Sequence, residues 1–250
     1  MKNKAYQFNK YYCLSIIFIL TSFSLFPSLF ILQSSPKYWK DLVEWTRTIS
    51  LCIVISLSIA GFIPLIIGSI LGYFKIPYKL SLLISLLWDI MEMVPLILVG
   101  IITSFLGGKC CIFITIIISI FLIPRYARIV EQKVKTINYN AYIEIAKMNG
   151  LNNYDIFYLH IWPELKFTFY LNCASCCSSI VIIITTMGFL KLASTKNWGF
   201  LLQTPVLQTI NFSQMIRLEF LLPFILIMNT VLCFNSLASY LQTKKDIQEI

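Results

Sequence analysis

The feature that most constrains this chain is a series of apolar segments, each about as long as a helix that crosses a lipid bilayer. A hydrocarbon core about 30 Å thick needs roughly 20 apolar residues per helix. The composition agrees, because 58% of the 250 residues are hydrophobic and 12% are charged, whereas a soluble domain carries about 25% charged residues. The sequence therefore predicts an all-α membrane protein with six spans in a single domain over residues 1–250. We place the spans approximately at residues 11–32, 51–74, 80–106, 110–128, 167–190 and 220–241.

The basic residues indicate how such a protein would lie in the membrane. The net charge of +9 could suggest nucleic-acid binding, but the lysines and arginines lie at the ends of the apolar segments, which is typical of anchoring in lipid. With the N-terminus inside, thirteen of them fall in inner segments and seven in outer segments. We therefore expect cytoplasmic N- and C-termini, contact with membrane lipid and no nucleic-acid partner. The run 11–32 is too long for the apolar core of a signal peptide, and no A-x-A cleavage site follows it.

Two local predictions concern the region before the third span. Residues 33–47 are expected to form a short polar loop. Gly68 and Gly72 form a G-x-x-x-G pair within the second span, and small residues at this spacing favour close contact between helices.

Residues 123–166 form the longest stretch in the middle of the chain that could not lie in lipid. Within it, residues 141–148 have the pattern of a short amphipathic helix, because Tyr142, Ile145 and Met148 are spaced to share one face. A helical segment hung between two spans is suited to contact something in the water.

A turn and a second helix are predicted to follow that first helix. Gly150 can end the first helix, because glycine adopts the left-handed conformation that a helix end often needs. Asn152 or Asn153 can cap the second helix, with Asp155 in its first turn where the helix dipole favours an anion. We expect this second helix to end at Ile161.

The same stretch resembles the EAA loop of ABC-transporter permeases. That loop reads Glu-Ala-Ala, three residues, Gly, and about a dozen more residues to Leu-Pro, and here residues 144–146, Gly150 and Pro163 stand at those places. The flanking residues 124–130 (PRYARIV) and 160–163 (HIWP) resemble the second permease of the peptide/nickel branch. Two positions depart from the pattern, since residue 145 is isoleucine rather than alanine and residue 162 is tryptophan rather than leucine.

The resemblance implies a type I ABC importer permease, which is a transmembrane subunit that forms half of a translocation pore. Its partners would be ATP-binding cassette subunits, a second homologous permease and an extracytoplasmic solute-binding protein. ATP would be bound and hydrolysed by the partner subunits, so no cofactor is expected in this chain. The solute would be a peptide, nickel or a metal chelate. The expected location is the bacterial cytoplasmic (inner) membrane.

The resemblance also gives residues 131–165 a role, as the loop that couples the permease to its ATPase. The residues expected to carry this coupling are Tyr142, Glu144, Ala146, Gly150, Ile156, His160 and Pro163.

A second part of the resemblance follows the fifth span. Residues 188–192 (GFLKL) and 197–199 (NWG) resemble the S-F-L-G-L-G and S-W-G motifs of the family, but Lys191 stands where the family has a glycine. A re-entrant piece is predicted around residues 204–210. The family's longer outer loop before the second span is absent from this sequence.

Asp89 and Glu92 lie within the third span, three residues apart and thus on one helix face. A carboxylate at bilayer depth costs about 2.5–3.5 kcal/mol on insertion scales, so such residues normally face a protein interior or water. We name Asp89, Glu92 and Pro95 as candidates that face the pore or the partner permease. The alternative is that both carboxylates lie near the cytoplasmic end of the span, where Lys75, Lys79 or Arg128 could neutralise them.

Other classes of function find little support in this sequence. A Walker G-x-x-x-x-G-K-[ST] loop and a nucleophile elbow are both absent from it, so we predict no catalytic residues and no enzyme. The eight cysteines lie in predicted spans, and Cys173, Cys176 and Cys177 are interpreted as small packing residues, because the single histidine cannot complete a metal site there. The rival hypothesis is a self-contained secondary transporter or channel that uses Asp89 and Glu92 as an ion relay. Inverted repeats would favour it, and the two halves show none.

Overall fold

The structure, a computed structural model, describes residues 37–74, 77–193, 197–202 and 218–248, and nearly all of these residues lie in helices. In chain order the α-helices are α1 (Lys37–Ser56), α2 (Ile63–Tyr73), α3 (Tyr78–Met93), α4 (Leu96–Gly107), α5 (Cys111–Asn138), α6 (Ala141–Met148), α7 (Asn153–Ile156), α8 (Trp162–Phe189) and α9 (Leu218–Gln248). Two π-helical segments, Leu57–Phe62 and Phe157–Ile161, join α1 to α2 and α7 to α8.

The described helices agree with an all-α membrane protein. Four helical runs are long and apolar enough to cross a membrane, and the bent pair α3–α4 would add a fifth. The four runs are Asp41–Tyr73, Cys111–Asn138, Asn153–Phe189 and Pro223–Gln242. The predicted first span, 11–32, and the predicted re-entrant piece, 204–210, lie outside the described residues.

The two π-helical segments each precede a proline by two residues. Pro64 follows Leu57–Phe62, and Pro163 follows Phe157–Ile161. Proline has no N–H, and its ring clashes with the carbonyl four residues earlier. Widening of the preceding turn accommodates that ring without breaking the helix, which is one way in which π-helical turns arise.

A third proline does break its helix. The prediction placed a single span at residues 80–106, but α3 and α4 meet at an angle of 80°. Pro95 disfavours the helical conformation of the residue before it, and Val94 is extended, with φ −76° and ψ 120°. The segment predicted as one span is therefore broken at Pro95, as in a broken span or a re-entrant loop.

The predicted polar loop at residues 33–47 was wrong from Lys37 onward, because α1 begins there. Leu42, Trp45 and Ile49 are buried on one side of α1, where they pack with Val181 of α8. Interspersed charges in this segment concealed the apolar stripe of the helix.

Helix α5 runs through the centre of the bundle, and it extends ten residues beyond the predicted end of its span at residue 128. The predicted loop 131–165 therefore starts as helix. Val130, Val134 and Ile137 continue a buried face to the end of α5. In the apolar core, Ile114 and Leu122 of α5 pack with Ile180 and Ile184 of α8.

The contact of α2 with α5 depends on its two glycines. A Cβ added to Gly68 would lie 2.5 Å from the carbonyl oxygen of Ala127, and one added to Gly72 would lie 2.7 Å from Cβ of Val134. Real Cβ atoms do not approach other atoms so closely, so α2 can lie against α5 only without side chains at these places. The prediction of close packing at this glycine pair is confirmed.

Candidate functional site

Helix α6 occupies residues 141–148 as predicted, and it has two different apolar sides. Ile143 is fully buried and Ala146 is 6% exposed, both in a cluster with Val134 of α5. On the opposite side, Ile145 is 58% exposed and Met148 is 86% exposed. The helix is thus anchored through one face while the face predicted from spacing points outward.

The turn after α6 is a Schellman motif around Gly150. Gly150 has φ +80°, and its N–H donates to the carbonyl of Lys147 at 3.1 Å, while the N–H of Leu151 donates to the carbonyl of Ala146 at 3.3 Å. This pair of hydrogen bonds is the Schellman pattern. A Cβ at Gly150 would meet no atom within 4 Å, so the position requires glycine for its conformation and not for space.

The second helix starts as predicted but does not end at Ile161. Asn152 is the N-cap residue of α7, although its side chain makes no capping hydrogen bond, and Asp155 lies in the first turn. From Asn153 the helix continues through the π-helical segment into α8 without a break, for 37 residues. A helix of that length spans about 55 Å, which is longer than a hydrocarbon core of about 30 Å.

The remaining predicted loop residues lie along this continuous helix, except for Glu144, which lies on α6. Ile156 is fully buried against the end of α5, in the same cluster as Ile143. His160 is partly buried and its ring lies 5.8 Å from that of Tyr142, centre to centre. Pro163 is exposed in the first turn of α8, and Glu144 is exposed in the first turn of α6.

Glu164 ties α6 to both neighbouring helices. Its Oε1 accepts a hydrogen bond of 2.8 Å from the hydroxyl of Tyr142, and its Oε2 lies 3.6 Å from Nζ of Lys133 on α5. Partial burial, and next its hydrogen bond to Glu164, raise the pKa of Tyr142 above its ordinary value. The phenol therefore stays protonated and keeps its role as donor.

Two further contacts fix the turns around α6. Nζ of Lys147 donates to Oδ1 of Asn138 at 2.7 Å, and the hydroxyl of Tyr73 on α2 donates to Oδ1 of Asn153 at 2.8 Å. Together with the buried face of α6, these contacts hold the connection between α5 and α8 as a rigid part of the bundle.

On this rigid connection, several large apolar or aromatic side chains are exposed to solvent. We call them the loop face. Its members and their exposed fractions are Tyr142 (40%), Ile145 (58%), Met148 (86%), Tyr154 (80%), Tyr158 (63%) and Leu159 (58%).

A second group of candidate residues surrounds Arg128. Nη2 of Arg128 lies 2.7 Å from Oδ1 of Asp89, and its Nη1 lies 3.7 Å from Oε2 of Glu92. Of the three partners considered from sequence for these carboxylates, Arg128 is thus the one that both share. Pro95 lies at the start of α4, on the bend that follows.

Sequence reasoning missed the contacts of Glu164, Lys133 and Asn153. The partners are 22 to 80 residues apart along the chain, and no spacing rule connects them. Glu164 offered one weak signal, because an acidic residue directly after a proline favours the first turn of a helix.

The described residues contain no group of three histidine, cysteine, aspartate or glutamate side chains placed to hold a metal ion. Cys176 and Cys177 are buried in α8, where Sγ of Cys176 lies 2.9 Å from the hydroxyl of Ser56. Their environment is that of packing residues.

Comparison with known proteins finds similarity to a permease protein of a dipeptide transport system. The chain is 28% identical over 224 residues to the dipeptide transport system permease protein DppC of Alkalihalophilus pseudofirmus, and the alignment covers 85% of this chain and 72% of the relative. No family model matches the chain. The similarity extends over most of the described helices and supports a place for this chain among the peptide ABC transport permeases.

Proposed function

We propose that this chain, as a member of the peptide ABC permease family, is the transmembrane permease subunit of an ATP-driven importer of peptides in the bacterial cytoplasmic membrane. It would form half of the translocation pore, and a second homologous permease would form the other half. A solute-binding protein would deliver the solute outside, and separate ATPase subunits would supply the energy. The named relative transports dipeptides, which favours peptides over nickel or metal chelates.

The loop face is the observation that carries the coupling part of this proposal. Met148 and Tyr154 are 86% and 80% exposed on a connection that is otherwise well packed. An amphipathic helix that presents such residues suits a groove on a partner protein, which is a common mode of recognition. We assign that partner as the ATPase, since the loop face coincides with the residues that resemble the EAA loop.

The anchoring of α6 explains how movement of an ATPase would reach the spans. Burial of an isoleucine such as Ile143 stabilises the contact by about 1.5–3 kcal/mol, and Glu164 links α6 to α5 and α8. A displacement of α6 would therefore move both helices and not only the loop. Rigid-body rotation of packed helices is the type of transition expected of such a subunit.

The rival hypothesis of an ion relay is disfavoured by the contacts of its carboxylates. Asp89 and Glu92 share the guanidinium of Arg128. An ion relay needs a series of such groups across the span, whereas these two carboxylates lie together near the end of α3.

Two substitutions test the coupling without altering a span. Gly150→Val forces a β-branched residue into the left-handed region, at a cost of about 1–2 kcal/mol. Glu144→Lys reverses a charge beside the loop face. We expect both variants to insert normally and pair with the second permease, but to lose ATPase co-purification or the stimulation of ATP hydrolysis by loaded binding protein in reconstituted vesicles.

Lys109→Glu is the matched control, because it reverses an exposed charge in the α4–α5 turn, outside the loop face. It should leave co-purification and stimulated hydrolysis unchanged. Normal co-purification and stimulation in both loop variants would mean that the loop face is not the coupling element.

A further inference from the structure

Two cavities lie along α5, one on each side of Arg128. The first has a volume of about 740 Å³ between α2, α3 and the end of α5 that leads to the loop face, and both Asp89 and Arg128 line it. The second has a volume of about 400 Å³ beside the bend between α3 and α4, and its lining includes Glu92, Pro95 and Arg125. Both volumes lie in the range of small-molecule sites.

The guanidinium of Arg128 bridges the two cavities. It contacts Asp89, which lines the first cavity, and Glu92, which lines the second. Asp89 of the first cavity and Glu92 of the second thus share one partner, Arg128, and we call these three residues the charged constriction.

The constriction is held by contacts that can be exchanged. The side chain of Asp89 is 46% exposed, that of Glu92 is 31% exposed and that of Arg128 is 30% exposed. Ion pairs with this much access to solvent contribute only about 0–1 kcal/mol. A solute that offers charged groups of its own can therefore replace them at little cost.

The bend between α3 and α4 places the constriction beside a natural hinge. Both carboxylates lie near the end of α3, just before Val94 and Pro95, whereas Arg128 lies on α5. A change in the angle at the bend would move the carboxylates relative to Arg128. The constriction can then open without disturbing the core contacts of α5.

The charges that line the two cavities are balanced. In the first cavity, Glu131 and Lys135 form a second ion pair, with Nζ 2.5 Å from Oε1. In the second, Glu92 is accompanied by Arg125. Cavities lined by equal numbers of acidic and basic side chains carry no net charge. They offer an ion-pair partner to each charged group of a molecule that carries both signs.

We infer that the charged constriction is a binding site for the ammonium and carboxylate groups of a zwitterionic peptide on its path between the two cavities. The ammonium group would exchange onto Asp89 and Glu92, and the carboxylate onto the guanidinium of Arg128, whose planar fork suits bidentate pairing. This inference rests on the proposed function, and it adds the chemical class of the solute and the residues that recognise it.

The first test measures whether the constriction separates the cavities. Ser85 lines the first cavity and Ser179 the second, so Ser85→Cys and Ser179→Cys are matched probes. A membrane-impermeant thiol reagent is added to sealed vesicles on the side of the loop face, and labelling is measured above that of the unsubstituted chain. We expect Ser85→Cys to react readily and Ser179→Cys slowly.

Opening the constriction should change only one of these rates. Arg128→Gln should raise the labelling of Ser179→Cys about fivefold, the upper range for an exposed ion pair, and leave that of Ser85→Cys unchanged. The double change Asp89→Asn and Glu92→Gln should do the same. An unchanged rate for Ser179→Cys in both backgrounds, or a changed rate for Ser85→Cys, would overturn the inference.

The second test measures recognition. Dialanine at a concentration near its Kd should slow the labelling of Ser179→Cys about twofold by occupying the constriction, whereas N-acetylalanine amide, which lacks both charges, should not. Arg128→Gln should abolish the difference. Equal protection by the two compounds, or none by either, would contradict a zwitterion site.

Neither measurement needs the ATPase. Failure of these tests with intact coupling would therefore reject the constriction alone, and loss of coupling with normal protection would reject the proposed role of the loop face alone.

Discussion

The connections before and after α8 differ in how much of their apolar side chains is exposed to solvent. Before its start, the connection from α5 leaves the loop face exposed, with Met148 86% and Tyr154 80% accessible. After its end at Phe189, residues 190–193 and 197–202 fold back against the bundle, and Trp198 there is completely buried. We call these latter residues the closing segment. The closing segment is also a connection between helices, and it buries its tryptophan. Exposure of large side chains is therefore specific to the loop face and not common to all connections in this chain.

The closing segment is held by contacts within the bundle. Nε1 of Trp198 donates to the hydroxyl of Thr46 on α1 at 3.1 Å, and the N–H of Phe200 donates to Oδ1 of Asn197 at 2.9 Å. The hydroxyl of Ser104 on α4 donates to the carbonyl of Leu192. All of these partners belong to the bundle itself. The loop face, in contrast, is exposed, although the opposite side of α6 is buried against the bundle.

The glycines at the two ends give the largest test of this difference. A Cβ at Gly199 would lie 1.8 Å from the carbonyl oxygen of Thr185, so any side chain must push the closing segment off α8. We expect Gly199→Val to lower the free energy of unfolding by at least about 4 kcal/mol, beyond the usual cost of overpacking. Thermal unfolding in detergent, followed with a dye that reacts with the buried thiols, measures it.

Gly150→Val is the matched change at the other end. The site has open space, so only the conformational cost of about 1–2 kcal/mol applies. Similar losses of stability in Gly199→Val and Gly150→Val would mean that lack of space at Gly199 costs no more than the backbone conformation at Gly150. The two connections would then not differ in how tightly they are packed.

Two isoleucines on α6 test the same contrast within one helix. Ile143 is fully buried and Ile145 is 58% exposed. Ile143→Ala should lower the free energy of unfolding by about 3 kcal/mol, because it opens a cavity in a packed cluster. Ile145→Ala should change stability by less than about 0.5 kcal/mol, yet weaken co-purification of the ATPase. A reversed pattern in the unfolding and co-purification assays would mean that α6 is anchored by its other face.

The residues around α6 also show what a sequence can reveal. Helix 141–148 and its terminating Gly150 follow from local rules on spacing and glycine, so they were predicted correctly. The start of the next helix was also predicted, although the side chain of Asn152 makes no capping hydrogen bond. The side of α6 that packs inward did not follow, because Ile143 and Ile145 are alike in composition. Only the position of α5 decides between them.

The prolines show most clearly what could not be predicted from the sequence alone. Pro95 and Pro124 both lie in apolar runs, yet α3 and α4 meet at 80° at Pro95, whereas Pro124 lies inside the continuous helix α5. A proline removes one hydrogen bond in either case, and the packing of neighbouring helices determines whether the helix bends. The pairing of Arg128 with Asp89 and Glu92 is a tertiary contact of the same kind, for which sequence offered several partners.

A small gain in stability is expected at the turn that starts the closing segment. Lys191 has φ +61° at the place where the resemblance has a glycine, and its N–H donates to the carbonyl of Gly188 at 3.1 Å. A left-handed conformation costs a residue with a side chain about 1–2 kcal/mol. Lys191→Gly removes that cost but gives the unfolded chain more freedom, which offsets about 0.4–1 kcal/mol. We therefore expect the free energy of unfolding to rise by about 0.5–1 kcal/mol in the same thiol-reactivity assay.

Lys191→Ala is the control, since it removes the charge and keeps the backbone strain. If Lys191→Ala stabilised the protein as much as Lys191→Gly, the gain would come from removal of the charge. The left-handed backbone at residue 191 would then contribute no measurable strain to the closing segment.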